Sequence, residues 1–167
     1  MNTSEKINEL TKEEAAELFS KCCGAKKWIS GMTEARPFKT DQSIFENAWK
    51  IWTALDESDW LEAFKHHPKI GDINSLREKY SSTKQLEENE QSGVNEASME
   101  VLEELSRLND EYEKKFGYIF IVCATGKSAD EMLSIINNRI NNDPQTEIKL
   151  AMEEQNKITK LRLEKLL

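Results

Sequence analysis

Apolar positions in this chain recur every three or four residues along most of its length, the spacing of amphipathic helices rather than of strands. Ala15, Leu18, Phe19 and Cys22 form the first such stripe, and Thr11 with Glu14 stands before it in the capping-box pattern that starts a helix. A shorter segment around Trp28 and Met32 runs into Arg36-Pro37-Phe38, where the proline disfavours helix at Arg36. Ile44, Ala48, Ile51, Trp52 and Leu55 give a strong inward face. Leu61 and Phe64 carry the pattern onto another helix after a break over Asp56 to Asp59, and Pro68 ends that helix near His67.

Asp72 is positioned to cap a short helical turn through Leu76 and Tyr80, and Ser81 to Asn89 reads as a polar loop. The longest periodic stretch follows: Ala97, Val101, Leu105, Leu108, Tyr112 and Phe116, stopped by Gly117. Tyr118 to Cys123 is apolar and β-rich, but a lone strand would have no ladder partner, so it reads as a buried extended segment. Ser128 and Glu131 make another capping box ahead of Met132, Ile135, Ile136 and Ile140, and Asp143-Pro144 supplies a cap and a first-turn proline for the last helix. These signals predict an all-α bundle of roughly eight helices. No repeat or Gly/Ser/Pro-rich linker divides it, so residues 1–167 read as one domain.

Composition narrows the function classes. A net charge of -8 argues against a broad nucleic-acid or acidic-membrane surface, so an anionic ligand must be held by a local cation. Cys22 and Cys23 are adjacent and Cys123 stands alone, which makes neither a disulfide framework nor a CxxC pair and implies a reducing compartment. Met1 to Leu10 has no apolar stretch of the signal-peptide kind, no run reaches membrane-spanning length, and Glu164-Lys165-Leu166-Leu167 is not a peroxisomal address. The expected location is the cytoplasm.

The most informative stretch for chemistry is Lys65-His66-His67-Pro68-Lys69-Ile70-Gly71-Asp72, where a helix breaks at a proline beside an imidazole. Histidine titrates near neutrality and is equipped to move protons, although a histidine here also serves simply as a helix-terminal cation. His66 has nothing to distinguish it from a solvent-facing helix residue. No HExxH or His/Cys cluster completes a metal shell, so no metal is expected. Arg162 lies fourteen residues after Ile148, about 40° away on a helical wheel and close to the direction of Ala151, on the inward face. An inward guanidinium calls for an anion beside it, either a protein carboxylate or a ligand, unless it snorkels at the helix end. Glu90-Gln91-Ser92-Gly93 sits in a polar loop that can aim a carboxylate and an amide into a pocket, yet most acidic residues in such a chain are solvated. The four tryptophans read as core or interface.

Taken together these residues resemble the 2-oxo-4-hydroxy-4-carboxy-5-ureidoimidazoline (OHCU) decarboxylases of urate breakdown. The resemblance spans nearly the whole chain, from Cys23-Gly24, Trp28, Met32 and Arg36-Pro37-Phe38 through Asp59-Trp60-Leu61-Glu62-Ala63-Phe64, His67-Pro68-Lys69-Ile70-Gly71, Glu90-Gln91-Ser92-Gly93 and Phe120-Ile121-Val122-Cys123-Ala124 to Arg139 and Arg162-Leu163. It implies an all-α fold, commonly a homodimer, that converts OHCU to (S)-allantoin and CO₂ without a cofactor. His67 and Glu90 are the implied catalytic pair, with Pro68, Gln91, the backbone of Val122, Cys123, Ala124, Thr125 and Gly126, and Arg162 in the substrate site. Two positions depart from the common pattern: Glu87 stands where many members have Ser, and Thr125 where many have Arg. The competing readings are a non-catalytic helical interaction module, in which His67, Glu90 and Arg162 diverge in space, and a metal-assisted hydrolase, which needs ligands the sequence does not offer.

Overall fold

Capping chemistry sets where the first helices begin. In the computed structural model, which describes residues 2–69, 71–72, 74–78, 80 and 92–166 (backbone only over 92–98), α1 (Thr3–Asn8), α2 (Lys12–Ser20), α4 (Asp41–Ala54) and α5 (Glu57–Lys65) each start on a capping box. The pairs are Asn2/Glu5, Thr11/Glu14, Thr40/Ser43 and Asp56/Asp59, so the break expected over Asp56 to Asp59 falls instead on the caps Leu55 and Asp56. Between them α3 (Lys26–Glu34) begins at Ala25 with no side-chain cap. Three further helices are α6 (Ser92–Phe116), α7 (Ala129–Arg139) and α8 (Pro144–Lys165), and residues 74–78 add a helical turn. No strand occurs among the described residues, in keeping with the all-α expectation.

The chain divides into two compact units, one of residues 1–67, 121–123 and 148–167, the other of residues 68–120 and 124–147. In the first, the predicted stripes become the core: Phe19, Trp28, Met32, Ile44, Trp52 and Phe64 are essentially fully buried. Phe19 meets Trp28 and Phe38 edge-on, the favourable arrangement for ring quadrupoles. Buried indoles need an acceptor, and Trp28 Nε1 donates to the Ala48 carbonyl at 3.1 Å while Trp52 Nε1 donates to Met152 at 2.9 Å. Trp49, by contrast, is exposed. Arg36 of the Arg-Pro-Phe motif binds backbone, donating to the carbonyls of Ile7 (3.0 Å), Leu10 (2.7 Å) and Thr33 (3.1 Å).

In the second unit Asp72 accepts from the Ser75 N–H at 2.9 Å, with Leu76 and Tyr80 buried, as its capping role requires. The long helix stops at Gly117, which adopts φ +84, a left-handed value that favours glycine. At its other end the helix already includes Ser92 and Gly93, two residues of the expected loop. Adding residues to a helix that its apolar stripe has nucleated costs little. Ser128 caps α7 by accepting from Glu131 N–H at 3.1 Å, but Glu131 takes the Ser128 hydroxyl instead of returning to the backbone.

A buried ionic cluster anchors this unit. Glu147 is fully buried and its Oε2 receives Arg139 Nε at 2.8 Å, Arg139 Nη2 at 2.5 Å and the Tyr112 hydroxyl, while Oε1 receives Asn142 Nδ2 at 3.1 Å. The Arg139 guanidinium also lies 4.6 Å from the Phe120 ring centroid.

Candidate functional site

α5 ends at Lys65 with His66 as its C-cap, and the chain leaves the helix at His67, whose N–H still bonds the Phe64 carbonyl at 3.2 Å. The two adjacent histidines therefore project differently. His66 is exposed, with its ring packed on the backbone of Gly24, where an added Cβ would meet His66 Cγ at 2.4 Å. His67 is half-buried, and its Nε2 faces Gln155 Oε1 at 2.5 Å.

α8 supplies the rest of this group. Ala151, Gln155, Thr159 and Leu163 are spaced by four, and all are buried. Gln155 Nε2 donates to Thr159 Oγ1 at 3.1 Å, extending the polar chain from His67 into the core. Arg162, on the flank of the stripe, is half-buried and donates through Nη1 to the Cys22 carbonyl at 3.2 Å. No carboxylate among the described residues forms an ion pair with it. Of the anions the sequence reading considered for Arg162, the protein carboxylate is not found among those residues.

Burial lowers the His67 pKa from its ordinary 6.5. Gln155 opposes that effect, and the positive charges of Arg162 and His66 reinforce it. The imidazole is thus neutral at neutral pH. On acidification the unfolded chain takes up this proton before the folded one does. The corresponding stability is present above pH 6.5 and is lost as pH falls through the lower folded value. Cys22 and Cys23, in contact with the same region, are pushed up to about 12 and about 11 by burial and remain thiols.

The remaining expected site residues fall as follows. The segment 118–124 has neither helix nor strand; of the stretch expected to be buried, Ile121 and Cys123 are, while Tyr118, Ile119, Phe120 and Val122 are half-buried. One of its amides is not free for a ligand: Cys123 N–H donates to Glu154 Oε1 at 3.0 Å, and Glu154 also pairs with Lys157. Val122 and Cys123 belong to the same unit as His67 and Arg162, whereas Pro68, Ala124, Thr125 and Gly126 belong to the other. Pro68, Thr125 and Gly126 are exposed, and Gly126 has φ +76. Glu87, Glu90 and Gln91 lie outside the described residues. Among the described residues no three or more His, Cys, Asp or Glu are grouped to hold a metal ion, and no helix is long and apolar enough to cross a membrane.

Gln155, Thr159 and Glu154 are absent from the sequence reading. The signal was present: polar residues at 155 and 159 sit in register with Ala151 and Leu163 on the stripe that must face inward. A polar side chain at a core position needs a partner, and the partner here is the histidine.

Comparison with known proteins adds an independent line. The family model described as OHCU decarboxylase matches residues 8–164. The uric acid degradation bifunctional protein TTL of Arabidopsis thaliana is 36% identical over 87% of this chain, and a 2-oxo-4-hydroxy-4-carboxy-5-ureidoimidazoline decarboxylase of Amia calva is 24% identical over 95% of this chain and 90% of its own length. This chain spans 45% of the plant protein and 31% and 32% of two bifunctional relatives from Bacillus. A crystal structure of OHCU decarboxylase in the presence of (S)-allantoin superimposes with a TM-score of 0.71 at 34% identity, covering 94% of this chain and 98% of that one.

Proposed function

We infer the reaction from one premise: the chain belongs to the OHCU decarboxylase family. It decarboxylates OHCU to (S)-allantoin and CO₂ in urate catabolism, and residues 1–167 act as one decarboxylase domain. The observation that carries this reading is the agreement, over 94% of this chain and 98% of the other, with an OHCU decarboxylase crystallised in the presence of (S)-allantoin. The neutral, half-buried imidazole of His67, facing the buried Gln155 of α8, supports it and disfavours the interaction-module alternative.

In the proposed mechanism the bond from the hydroxyl-bearing ring carbon to its carboxylate breaks, CO₂ departs, and the bonding electron pair passes into the five-membered ring. One proton is taken up overall. The ring is its own electron sink, so the step needs no metal or organic cofactor. The proton taken up overall goes to the ring nitrogen that receives the electron pair, while His67 takes the hydroxyl proton as a base and returns it to one face of the neighbouring ring carbon, which sets the S configuration. Glu90 orients the imidazole or the hydroxyl, and Gln91 binds the ureido or ring amides. Arg162, lacking a carboxylate partner among the described residues, holds the substrate's negative charge. The backbone of Val122 and the carbonyl of Cys123, whose N–H is held by Glu154, complete the substrate site.

The direct test is to add freshly generated urate-oxidation product and follow the circular dichroism of chiral allantoin. A faster appearance of the S signal is expected, undiminished after exhaustive chelation. Turnover that disappears on chelation and returns only with added Zn²⁺ would establish the metal-assisted route instead. Arg162→Leu is expected to raise KM at least about tenfold, as loss of a charged ligand contact does, while stability changes by only about 1 kcal/mol for the lost Cys22 contact. A loss of several kcal/mol in urea denaturation would show that Arg162 serves a protein carboxylate. Arg162→Lys keeps the charge without the planar fork and should give an intermediate KM.

A homodimer and a cytoplasmic location belong to the same proposal. The buried thiols of Cys22 and Cys23 suit a reducing compartment. A monomer in sedimentation at micromolar concentration would rule out the dimer.

A further inference from the structure

A neutral imidazole has one proton and two nitrogens, so His67 is basic at one ring edge only. Its Nε2 faces Gln155 Oε1 at 2.5 Å. Gln155 is 1% exposed, and its amide nitrogen donates to Thr159 Oγ1 at 3.1 Å. A side-chain amide in such a setting has two orientations, and each dictates a tautomer. With its oxygen toward the ring it accepts, and Nε2 must carry the proton. With its nitrogen toward the ring it donates, Nε2 must be bare, and Thr159 must give its proton back to the amide.

The placement of the amide distinguishes the two. Its oxygen Oε1 faces the ring and its nitrogen donates to Thr159 Oγ1, so toward the imidazole the amide accepts.

We propose that Gln155 is a positioning residue for the decarboxylation: with its amide held by Thr159, it keeps His67 in the Nε2–H tautomer and leaves Nδ1 as the basic nitrogen. This rests on His67 being the acid-base group. A neutral acceptor suits the task. It orients the ring without the full charge that a carboxylate would bring, so burial and the positive charges of Arg162 and His66 still keep the imidazole neutral.

The chain has two histidines, so ring ¹⁵N spectra of labelled protein contain two imidazoles, and His66→Asn assigns them. In the unsubstituted protein, above the His67 titration, a pyrrole-like Nε2 and a pyridine-like Nδ1 are expected. A pyridine-like Nε2 overturns the proposal with no variant required. Gln155→Met, near in size but without the acceptor, should increase the Nδ1–H share and lower kcat by about tenfold or more with KM within about twofold. Gln155→Glu keeps the acceptor, so it should restore the Nε2–H form and move the acid limb of kcat to higher pH, because a carboxylate favours imidazolium. A Gln155→Met protein with unchanged kcat overturns the positioning role, whatever its tautomer. Wild-type kcat in His67→Asn would instead overturn the acid-base reading, and the catalytic meaning of the tautomer with it, while the spectra still decide the tautomer itself.

Discussion

Replacing His67 with asparagine is expected to lower kcat by about 10²–10⁴, the usual scale for losing a general acid-base group. The fold should survive. His67 is half-buried and its loss leaves Gln155 without one hydrogen-bond partner, worth about 1 kcal/mol, or roughly 2–4 °C in Tm for a chain of this length. His66→Asn is the matched control, since the two neighbours share chain position and residue type and differ in direction. His66 is exposed against Gly24, and its substitution should change kcat by less than roughly tenfold. Steady-state kinetics with circular dichroism on both variants decides the matter. A large loss at His66 with His67 silent would refute the site, and equal small losses at both would favour a non-catalytic helical module.

The largest loss of stability is expected at Glu147. Its carboxylate is fully buried and receives two nitrogens of Arg139, the Tyr112 hydroxyl and the Asn142 amide. Glu147→Ala removes the carboxylate that faces the Arg139 guanidinium, whose side chain is only 9% exposed, and should cost about 3–5 kcal/mol in urea unfolding. The penalty comes from a buried charge deprived of this counter-charge more than from a missing contact. The double variant Glu147→Ala/Arg139→Met should therefore recover part of the loss, because it removes that buried charge and keeps apolar volume beside Phe120. A loss below about 1 kcal/mol in Glu147→Ala, or a double variant worse than the sum of the singles, would contradict this account.

Much of this protein is determined by short-range rules that the sequence states directly. Thr11/Glu14 and Asp143-Pro144 start helices because the first-turn N–H groups need partners, Gly117 stops one because it tolerates φ +84, and the spacing of Ile44, Ala48 and Trp52 turns one face inward. The motif around His67 is legible for the same reason: a proline after a helix puts an imidazole at its end. What lies across from that imidazole is not local. Gln155 is 88 residues away in the chain, and only folding brings its amide to Nε2. Period counting registers Glu147, Ala151, Gln155, Thr159 and Leu163 as one buried face, but the burial of three polar groups among them is decided by their partners, Arg139 for Glu147 and His67 for Gln155. The same holds for Cys123, whose amide the sequence leaves available and which Glu154, 31 residues on, occupies. Helix boundaries and inward faces follow from neighbours within a few residues. The tautomer of His67, the pairing of Arg139 and the lack of a carboxylate partner for Arg162 among the described residues depend on which distant side chains the packed units bring within about 3 Å, where hydrogen bonds form.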